Sequence, residues 1–159
     1  MESLEQLNLS GLSRLENLDA NLLASAELTS VNLNECRNLR CLPSVEKLEK
    51  LRSLALVNCQ RLAQLPEGMC ELRNLASLDL KGCKLIRELP KDLGDLRNLR
   101  SLGLWDCKSL CELPKCMNKL ELLSGLDLYN ASNIIKVPDL STLPELDVDI
   151  RETNLSDRG

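Results

Sequence analysis

Apolar residues recur along the chain with a period much longer than that of a helix or a strand. Five of the six prolines are spaced 23 or 24 residues apart, at Pro43, Pro66, Pro90, Pro114 and Pro138. Four cysteines keep the same spacing, at Cys36, Cys59, Cys83 and Cys107. Self-similarity at a fixed period of this length is typical of proteins built from stacked repeats.

Aligned on these markers, the chain consists of copies of the unit LxxLxLxxCxxLxxLPxxLxxLxx. One copy fills every fixed position, with Leu75, Leu78, Leu80, Cys83, Ile86, Leu89, Pro90, Leu93 and Leu96. Copies begin near residues 4, 28, 51, 75, 99 and 123, and a seventh begins at about 143. The alignment is open after Pro138, because Leu143, Leu146 and Val148 fit a seventh strand only if the connecting segment is shortened. The prediction is one domain, 1–159, of six to seven repeats.

The segment LxxLxL predicts a short strand, because the apolar side chains at its fourth and sixth positions point to the same side of a sheet. The segment after Leu-Pro is too short for a long helix, so a 3₁₀ helix or a turn is expected there. One unit cannot bury its own leucines, whereas stacked units share a continuous core. The predicted fold is an α/β solenoid: a right-handed superhelix with a parallel sheet on the concave face and short helical, 3₁₀ or turn segments on the convex face.

This unit resembles the leucine-rich repeat, over about residues 4–150. Residues 36–43 (CRNLRCLP) and 89–99 (LPKDLGDLRNL) are especially similar to repeats of plant intracellular nucleotide-binding (NB-LRR) disease-resistance receptors. Plant intracellular Ras-group leucine-rich-repeat proteins share much of the same form. The receptor resemblance implies a ligand-sensing or autoinhibitory role, with a pathogen effector, a host guardee or the receptor's own switch domain as the partner.

The composition restricts the possible chemistry. Leucine supplies 40 of the 159 residues, and the chain has no histidine and no phenylalanine. Without imidazole there is no Ser/His or Cys/His nucleophilic pair and no zinc site that needs histidine. No glycine-rich phosphate-binding motif occurs either. We therefore expect no enzymatic activity and no cofactor.

Charge and hydropathy bear on the partner and the compartment. A net charge of −4 gives no general reason to bind nucleic acid or an acidic membrane. No apolar stretch approaches the ~20 residues that a membrane-spanning helix needs. The N-terminus lacks the basic and apolar segments of a secretory signal. The sequence therefore predicts a cytoplasmic protein that contacts neither nucleic acid nor membrane.

The eight cysteines are an even number, which raises the question of disulfides. Four of them occupy the turn after the predicted strand, where a small buried thiol fills the gap between repeats and donates weakly to the backbone. Neighbouring thiols would run side by side, which disfavours bridging, so reduced thiols are expected. Cys107, Cys111 and Cys116 are the tightest group. Their spacing does not resemble that of a zinc site, and no metal is expected.

The sharpest candidate site lies on the outward positions of the predicted strands. Trp105 and Tyr129 are the only aromatic residues of the chain, and they occupy equivalent positions in adjacent copies. They should lie one strand spacing apart, outside the leucine core. Exposed aromatic residues often anchor protein interfaces. The alternative is that the two rings stack on each other and only stabilise the sheet.

The charge around this aromatic pair is mostly acidic. Asp147 and Asp149 add to the acidic charge if the seventh strand forms. We therefore expect a partner with a basic and apolar surface. The residues predicted to bind protein on the concave face are Trp105, Tyr129, Asp106, Asp127, Arg100, Lys81 and Asp79.

These observations favour a non-catalytic protein-recognition module, with plant innate immunity (the defence response) as its setting. A free-standing scaffold or a substrate adaptor, for example in ubiquitin ligation, stays open as the alternative. A repeat domain fused to an enzyme would require a second domain. The first copy starts at residue 4 without a polar cap, so we expect either that the chain is a piece of a larger protein or that its end repeats pair with a second copy of the chain.

Overall fold

In the first six copies, the LxxLxL segment forms the strand that its apolar pattern predicts. A computed structural model describes residues 4–66 and 68–155, and within these ranges it contains one parallel sheet of seven strands in chain order. The strands are β1 (Gln6–Asn8), β2 (Ser30–Asn32), β3 (Ser53–Ala55), β4 (Ser77–Asp79), β5 (Ser101–Gly103), β6 (Gly125–Asp127) and β7 (Asp147–Asp149). The connecting segments contain 3₁₀ helices at Ala20–Leu23, Met69–Glu71, Leu93–Asp95 and Lys115–Lys119. The predicted solenoid is confirmed.

The register of the sheet follows the repeat, so that equivalent residues lie side by side. Leu54 pairs with Leu78, and Leu78 pairs with Leu102. In β2, β3, β4 and β6 the central residue is buried, whereas the residues before and after it are partly exposed. Leucines from the strands and from the connecting segments form one continuous core along the stack.

The last strand pairs two residues later than the alignment by sequence expects. That alignment places Leu146 at the fourth position of the seventh copy, but the structure pairs Val148 with Leu126. The connecting segment is shortened by only two residues, since Leu102 and Leu126 are 24 residues apart and Leu126 and Val148 are 22. A shift of two residues leaves every side chain on its original face of the sheet.

The first copy is less well covered than the central ones. Leu4 and Leu12 are each 47% exposed, whereas the residues at the equivalent positions of the fourth copy, Leu75 and Cys83, are 0% exposed. An inward side chain at the first copy has a neighbouring repeat on one side only. Pairing of the end repeats with a second copy of the chain stays a prediction.

The turn after each strand has the same backbone conformation throughout the described part of the chain. The residue before the cysteine position has a φ between 55° and 81° in all seven copies. Glycine, asparagine and aspartate tolerate this left-handed region best. They fill five of the positions, and glutamate fills the other two. The residues are Gly11, Glu35, Asn58, Gly82, Asp106, Asn130 and Glu152.

The four phased cysteines link each copy to the copy before it. Their thiols donate to backbone carbonyl oxygens at 3.1–3.2 Å, and the side chains have no solvent exposure. The predicted thiol–backbone contact is confirmed. Burial raises the pKa of Cys59 and of Cys107 to about 12, because the charged thiolate would lose its hydration. We call these four residues the thiol ladder: Cys36, Cys59, Cys83 and Cys107.

We expect iodoacetamide at pH 8 to alkylate the exposed Cys41 and Cys111 and to spare the thiol ladder. Only the thiolate is nucleophilic, and a pKa near 12 leaves about one thiolate in ten thousand at pH 8. Mass spectrometry of the modified chain measures the result, and the urea-unfolded chain, in which all eight thiols react, is the control. Equal rates for Cys59 and Cys41 would contradict the buried thiol ladder.

The same pKa shifts predict a loss of stability in alkali. The folded chain favours the protonated thiol, so this stabilisation is complete below about pH 9 and is lost as the pH rises towards 12. Urea denaturation at several pH values in reducing buffer measures the free energy of unfolding. The double substitution Cys59→Ala/Cys107→Ala should flatten its decline between pH 9 and 12. An unchanged slope would show that these thiols do not contribute.

Candidate functional site

The outward face of the sheet has a floor of small side chains. The first residue of the strand is serine in four successive strands and glycine in the next. A partner can therefore approach the backbone of the sheet closely along this line. The residues of the floor are Ser30, Ser53, Ser77, Ser101 and Gly125.

In most strands, the side chain of the third residue stabilises the turn that follows. Its side-chain oxygen accepts a hydrogen bond from the backbone N–H two residues further on. The carboxylate of Asp79 accepts from the amide of Lys81 at 3.2 Å, and that of Asp127 accepts from the amide of Tyr129 at 3.1 Å. Asp79 and Asp127, both predicted to bind protein, thus also hold the turns that direct the neighbouring side chains outward.

Trp105 and Tyr129 lie next to each other, as the sequence predicts. Their ring centroids are 6.2 Å apart and the ring planes are tilted by 58°. This is within the range of favourable tilted aromatic pairs. Trp105 is 45% exposed, so a large apolar surface remains open beside the serine floor.

Arg151 extends the aromatic pair by one more copy. Its guanidinium carbon lies 5.5 Å from the centroid of the Tyr129 ring. The same guanidinium donates to the two carboxylate oxygens of Asp149 at 2.9 and 2.6 Å. This hydrogen bonding lowers the pKa of Asp149 to about 2. We call Trp105, Tyr129 and Arg151 the aromatic–arginine column.

Arg151 is absent from the residues predicted to bind protein, although the sequence contains a signal for it. Asp149 precedes Arg151 by the same two residues by which Asp127 precedes Tyr129. An alignment on this acidic residue places Arg151 in the column. The alignment on leucine begins the last copy two residues too early and hides the equivalence.

Lys81 reaches over β5 to the strand beyond it. Its ammonium nitrogen lies 3.4 Å from Oδ2 of Asp127, in the second copy along. Gly103 lies between them and makes room for the lysine stem. A Cβ atom on Gly103 would lie 2.6 Å from Oδ1 of Asp79 and 2.9 Å from Cε of Lys81. The structure thus brings Asp79, Lys81 and Asp127 together beside the aromatic rings.

Asp106 lies in the turn, away from this group. Asp106 has a positive φ, and its carboxylate accepts a hydrogen bond from Nδ2 of Asn130 at 2.8 Å. The ammonium groups of Lys84 and Lys108 lie 3.5 and 3.4 Å from its oxygens. The carboxylate therefore already has three partners within the chain, and a role for Asp106 in protein binding stays a prediction.

Arg100 is exposed immediately before β5. Among residues 4–66 and 68–155 its side chain makes no hydrogen bond and no ion pair. Its backbone continues the pairing of β5 with the strands on both sides: its N–H donates to the carbonyl oxygen of Ala76 at 2.8 Å, and its carbonyl oxygen accepts from the N–H of Ser124 at 2.9 Å. Arg100 is available to a partner, and its binding role also stays a prediction.

The described ranges contain no cluster of side chains arranged as a metal site and no helix able to span a membrane. No group of three or more His, Cys, Asp or Glu residues there is arranged to hold a metal ion. The three clustered cysteines are separate: Cys107 is buried, Cys111 is exposed, and the sulfur of Cys116 accepts from the amide of Gly94 at 3.1 Å. No helix in the described part of the chain is both long and apolar enough to cross a bilayer.

Known proteins resemble this chain in its repeat architecture. A family model described as a leucine-rich repeat region matches residues 21–157. No curated protein matches the chain. Among solved structures, the leucine-rich-repeat domain of the type III effector XopL is similar, with 19% sequence identity and a TM-score of 0.47. That match covers 94% of this chain and 75% of the effector domain.

Two further structures are similar over 94% of this chain. A leucine-rich-repeat protein of Leptospira interrogans has 19% identity and a TM-score of 0.43, and 55% of it is covered. The ectodomain of the Arabidopsis thaliana membrane receptor kinase GASSHO1/SCHENGEN3, solved in complex with CASPARIAN STRIP INTEGRITY FACTOR 2, has 18% identity and a TM-score of 0.41, and 30% of it is covered. The chain therefore spans about half of the first of these proteins and under a third of the second.

The glycine beneath Lys81 provides a test of the site geometry. We expect Gly103→Ala to lower the free energy of unfolding by about 1–3 kcal/mol, because the new methyl group would overlap Asp79 and the Lys81 stem. Urea denaturation measures the change. Gly125→Ala on the next strand is the matched control, since the nearest atom to its Cβ position is 3.9 Å away. Equal stability of the two variants would refute the close packing at Gly103.

Proposed function

Since the chain belongs to the leucine-rich-repeat family, we propose that it is a non-catalytic protein-recognition module. The aromatic–arginine column and the serine floor beside it form the binding surface. The observation that carries this proposal is the exposure of Trp105, the chain's one tryptophan, in the turn that follows β5. The leucine core is complete without it, because the inward positions of the same copy are filled by Leu102 and Leu104.

The shape of this surface supports a protein partner. Small residues occupy the first position of the strands, and the bulky side chains of the column lie four residues later, in the turns after the strands. A partner side chain can thus contact an aromatic face and the sheet backbone together. Tryptophan, tyrosine and arginine are the residues that most often dominate the energy of protein interfaces.

The charge of the surface supports a partner that is both basic and apolar. Asp79, Asp127, Asp147 and Asp149 lie on the outward positions of β4, β6 and β7. Their two cationic neighbours, Lys81 and Arg151, are already paired within the chain. The carboxylates outnumber these cations, so complementary charge on a partner would steer association and favour correct orientation.

We propose plant intracellular immunity, in the cytoplasm, as the biological setting. The form of the repeat supports it, through the LxxLxLxxC…LP pattern at residues 36–43 and 89–99. In a receptor of this kind the module would sense a pathogen effector or a host guardee, or would hold the receptor's switch domain inactive. A free-standing scaffold or adaptor uses the same surface, and the identity of the captured partner separates the two.

The proposal predicts a loss of partner capture when the two rings are removed. Wild-type chain and the double variant Trp105→Ala/Tyr129→Ala serve as baits in a plant-cell lysate under reducing conditions. A central aromatic residue contributes about 2 kcal/mol or more, so affinity should fall by about thirtyfold for each ring. Quantitative mass spectrometry of the retained proteins measures the effect.

The control bait is Ile135→Ala, which removes an apolar side chain that is 55% exposed outside the sheet face. All baits must show the same melting temperature as the wild type. A protein retained by the wild type and the control but lost by the double variant supports the proposal. Retention of one set of proteins by all three baits would assign the rings to the scaffold and refute the binding surface.

A further inference from the structure

A second surface runs along the Leu-Pro segments, which follow the turns and, in three of the five copies, precede a 3₁₀ helix. We call it the Leu-Pro ledge; it consists of Leu42-Pro43, Leu65-Pro66, Leu89-Pro90, Leu113-Pro114 and Val137-Pro138. Cavities open between neighbouring copies along the ledge. They have apolar floors in common, because leucine and proline recur in each copy.

The cavities on the ledge differ in charge. One of about 360 Å³ is lined by Cys41, Ser44 and Gln64 beside the leucines and carries no ionised group. The next, about 200 Å³, is lined by one acidic residue, Glu88, and one basic residue, Lys91, so its formal charges cancel. Lys91 also lines the C-terminal cavity. The C-terminal cavity, about 410 Å³, has three lysines and one glutamate. The leucine and proline residues of the cavity floor belong to the repeat pattern. The excess of lysine in the C-terminal cavity does not.

From this contrast we propose that the C-terminal cavity of the ledge is a binding site for a phosphorylated peptide segment of a partner protein. Lys91, Lys115 and Lys136 would hold the phosphoryl group. Leu113, Pro114 and Pro138 would pack against an apolar side chain next to the phosphorylated residue. This site is separate from the aromatic–arginine column and does not depend on the function proposed for it.

The three lysines are free to bind an anion. Over residues 4–66 and 68–155, Lys81, Lys84 and Lys108 each form an ion pair within 4 Å, as does Lys50. None of the lysines of the C-terminal cavity does. A lysine ammonium group is a compact charge with three donors, and it suits a phosphoryl group with three acceptor oxygens.

Backbone hydrogen bonds between residues 111–113 and residues 135–136 fix the backbone beneath the C-terminal cavity. Glu112 and Lys136 form an isolated parallel bridge between neighbouring copies. The N–H of Leu113 donates to the carbonyl oxygen of Lys136 at 3.2 Å, and that of Ile135 donates to Cys111 at 3.0 Å. Lys136 and Glu112 are thus set side by side before any ligand arrives, which lowers the cost of ordering the site.

The charge of the lining matches one phosphate monoester. Three lysines and Glu112 give a formal charge of +2, and a phosphorylated serine or threonine carries about −1.5 to −2 at pH 7. The chain as a whole carries −4, so this local excess opposes the overall charge. A volume of about 410 Å³ exceeds what a phosphoryl group needs and leaves room for the adjoining side chain.

The test uses three fluorescein-labelled decapeptide libraries with a fixed central residue: phosphoserine, serine or glutamate. Fluorescence polarisation measures their affinity for the wild-type chain and for Lys91→Gln/Lys115→Gln. We expect the phosphoserine library to bind the wild type at least about tenfold more tightly than the serine library, because charge-assisted hydrogen bonds replace neutral ones. The double variant should lose this difference, and inorganic phosphate should compete.

The matched control is Lys47→Gln/Lys119→Gln, which removes the same charge from two exposed lysines outside the cavity. It should retain the preference for phosphoserine, as should Trp105→Ala/Tyr129→Ala. Equal binding of the phosphoserine and serine libraries, or equal loss in both lysine variants, would overturn the site. Equal binding of the glutamate and phosphoserine libraries would overturn its selectivity for phosphate.

Discussion

The structure depends on one constraint: no repeat can bury its own leucines. A three-residue strand with one inward side chain has no stable core alone, so each copy needs the copies on both sides of it. Parallel pairing in strict register follows, because only equivalent residues side by side place every leucine against leucines. The core then has the same cross-section at each level. Polar and charged residues are confined to the outward positions and to the connecting segments.

This constraint explains how much of the molecule can be predicted from its sequence. Inward positions repeat with the same residue types, so leucine, cysteine and proline spacing indicates the strands, the turns and the family resemblance. The position of Trp105 beside Tyr129 follows from the same spacing, because the two residues occupy equivalent positions in adjacent copies. The last copy has a shorter connecting segment, and there the leucine spacing misplaces the strand by two residues. Arg151 was missed for that reason alone.

Other features of the candidate site depend on contacts between copies, which a repeat pattern does not encode. The ion pair of Lys81 with Asp127 skips one copy and requires glycine at position 103. Asp106 is next to Trp105 in the sequence, but in the turn its carboxylate pairs with Lys84 and Lys108. A column read from the sequence gives the neighbours of a residue but not the direction in which a long side chain leaves the backbone.

The thiol ladder has a consequence for how such a chain can change in evolution. Each thiol donates to a carbonyl oxygen of the preceding copy, and each acceptor lies at the same place in its own copy. Duplication or loss of one whole unit of about 24 residues therefore leaves no buried donor without its acceptor. The distance between two surface features can then change in steps of one strand spacing, roughly 4.7–4.9 Å, while local geometry is kept. Recombination within the gene can thus change the number of repeats, and with it the spacing of surface features, without changing the contacts between neighbouring repeats.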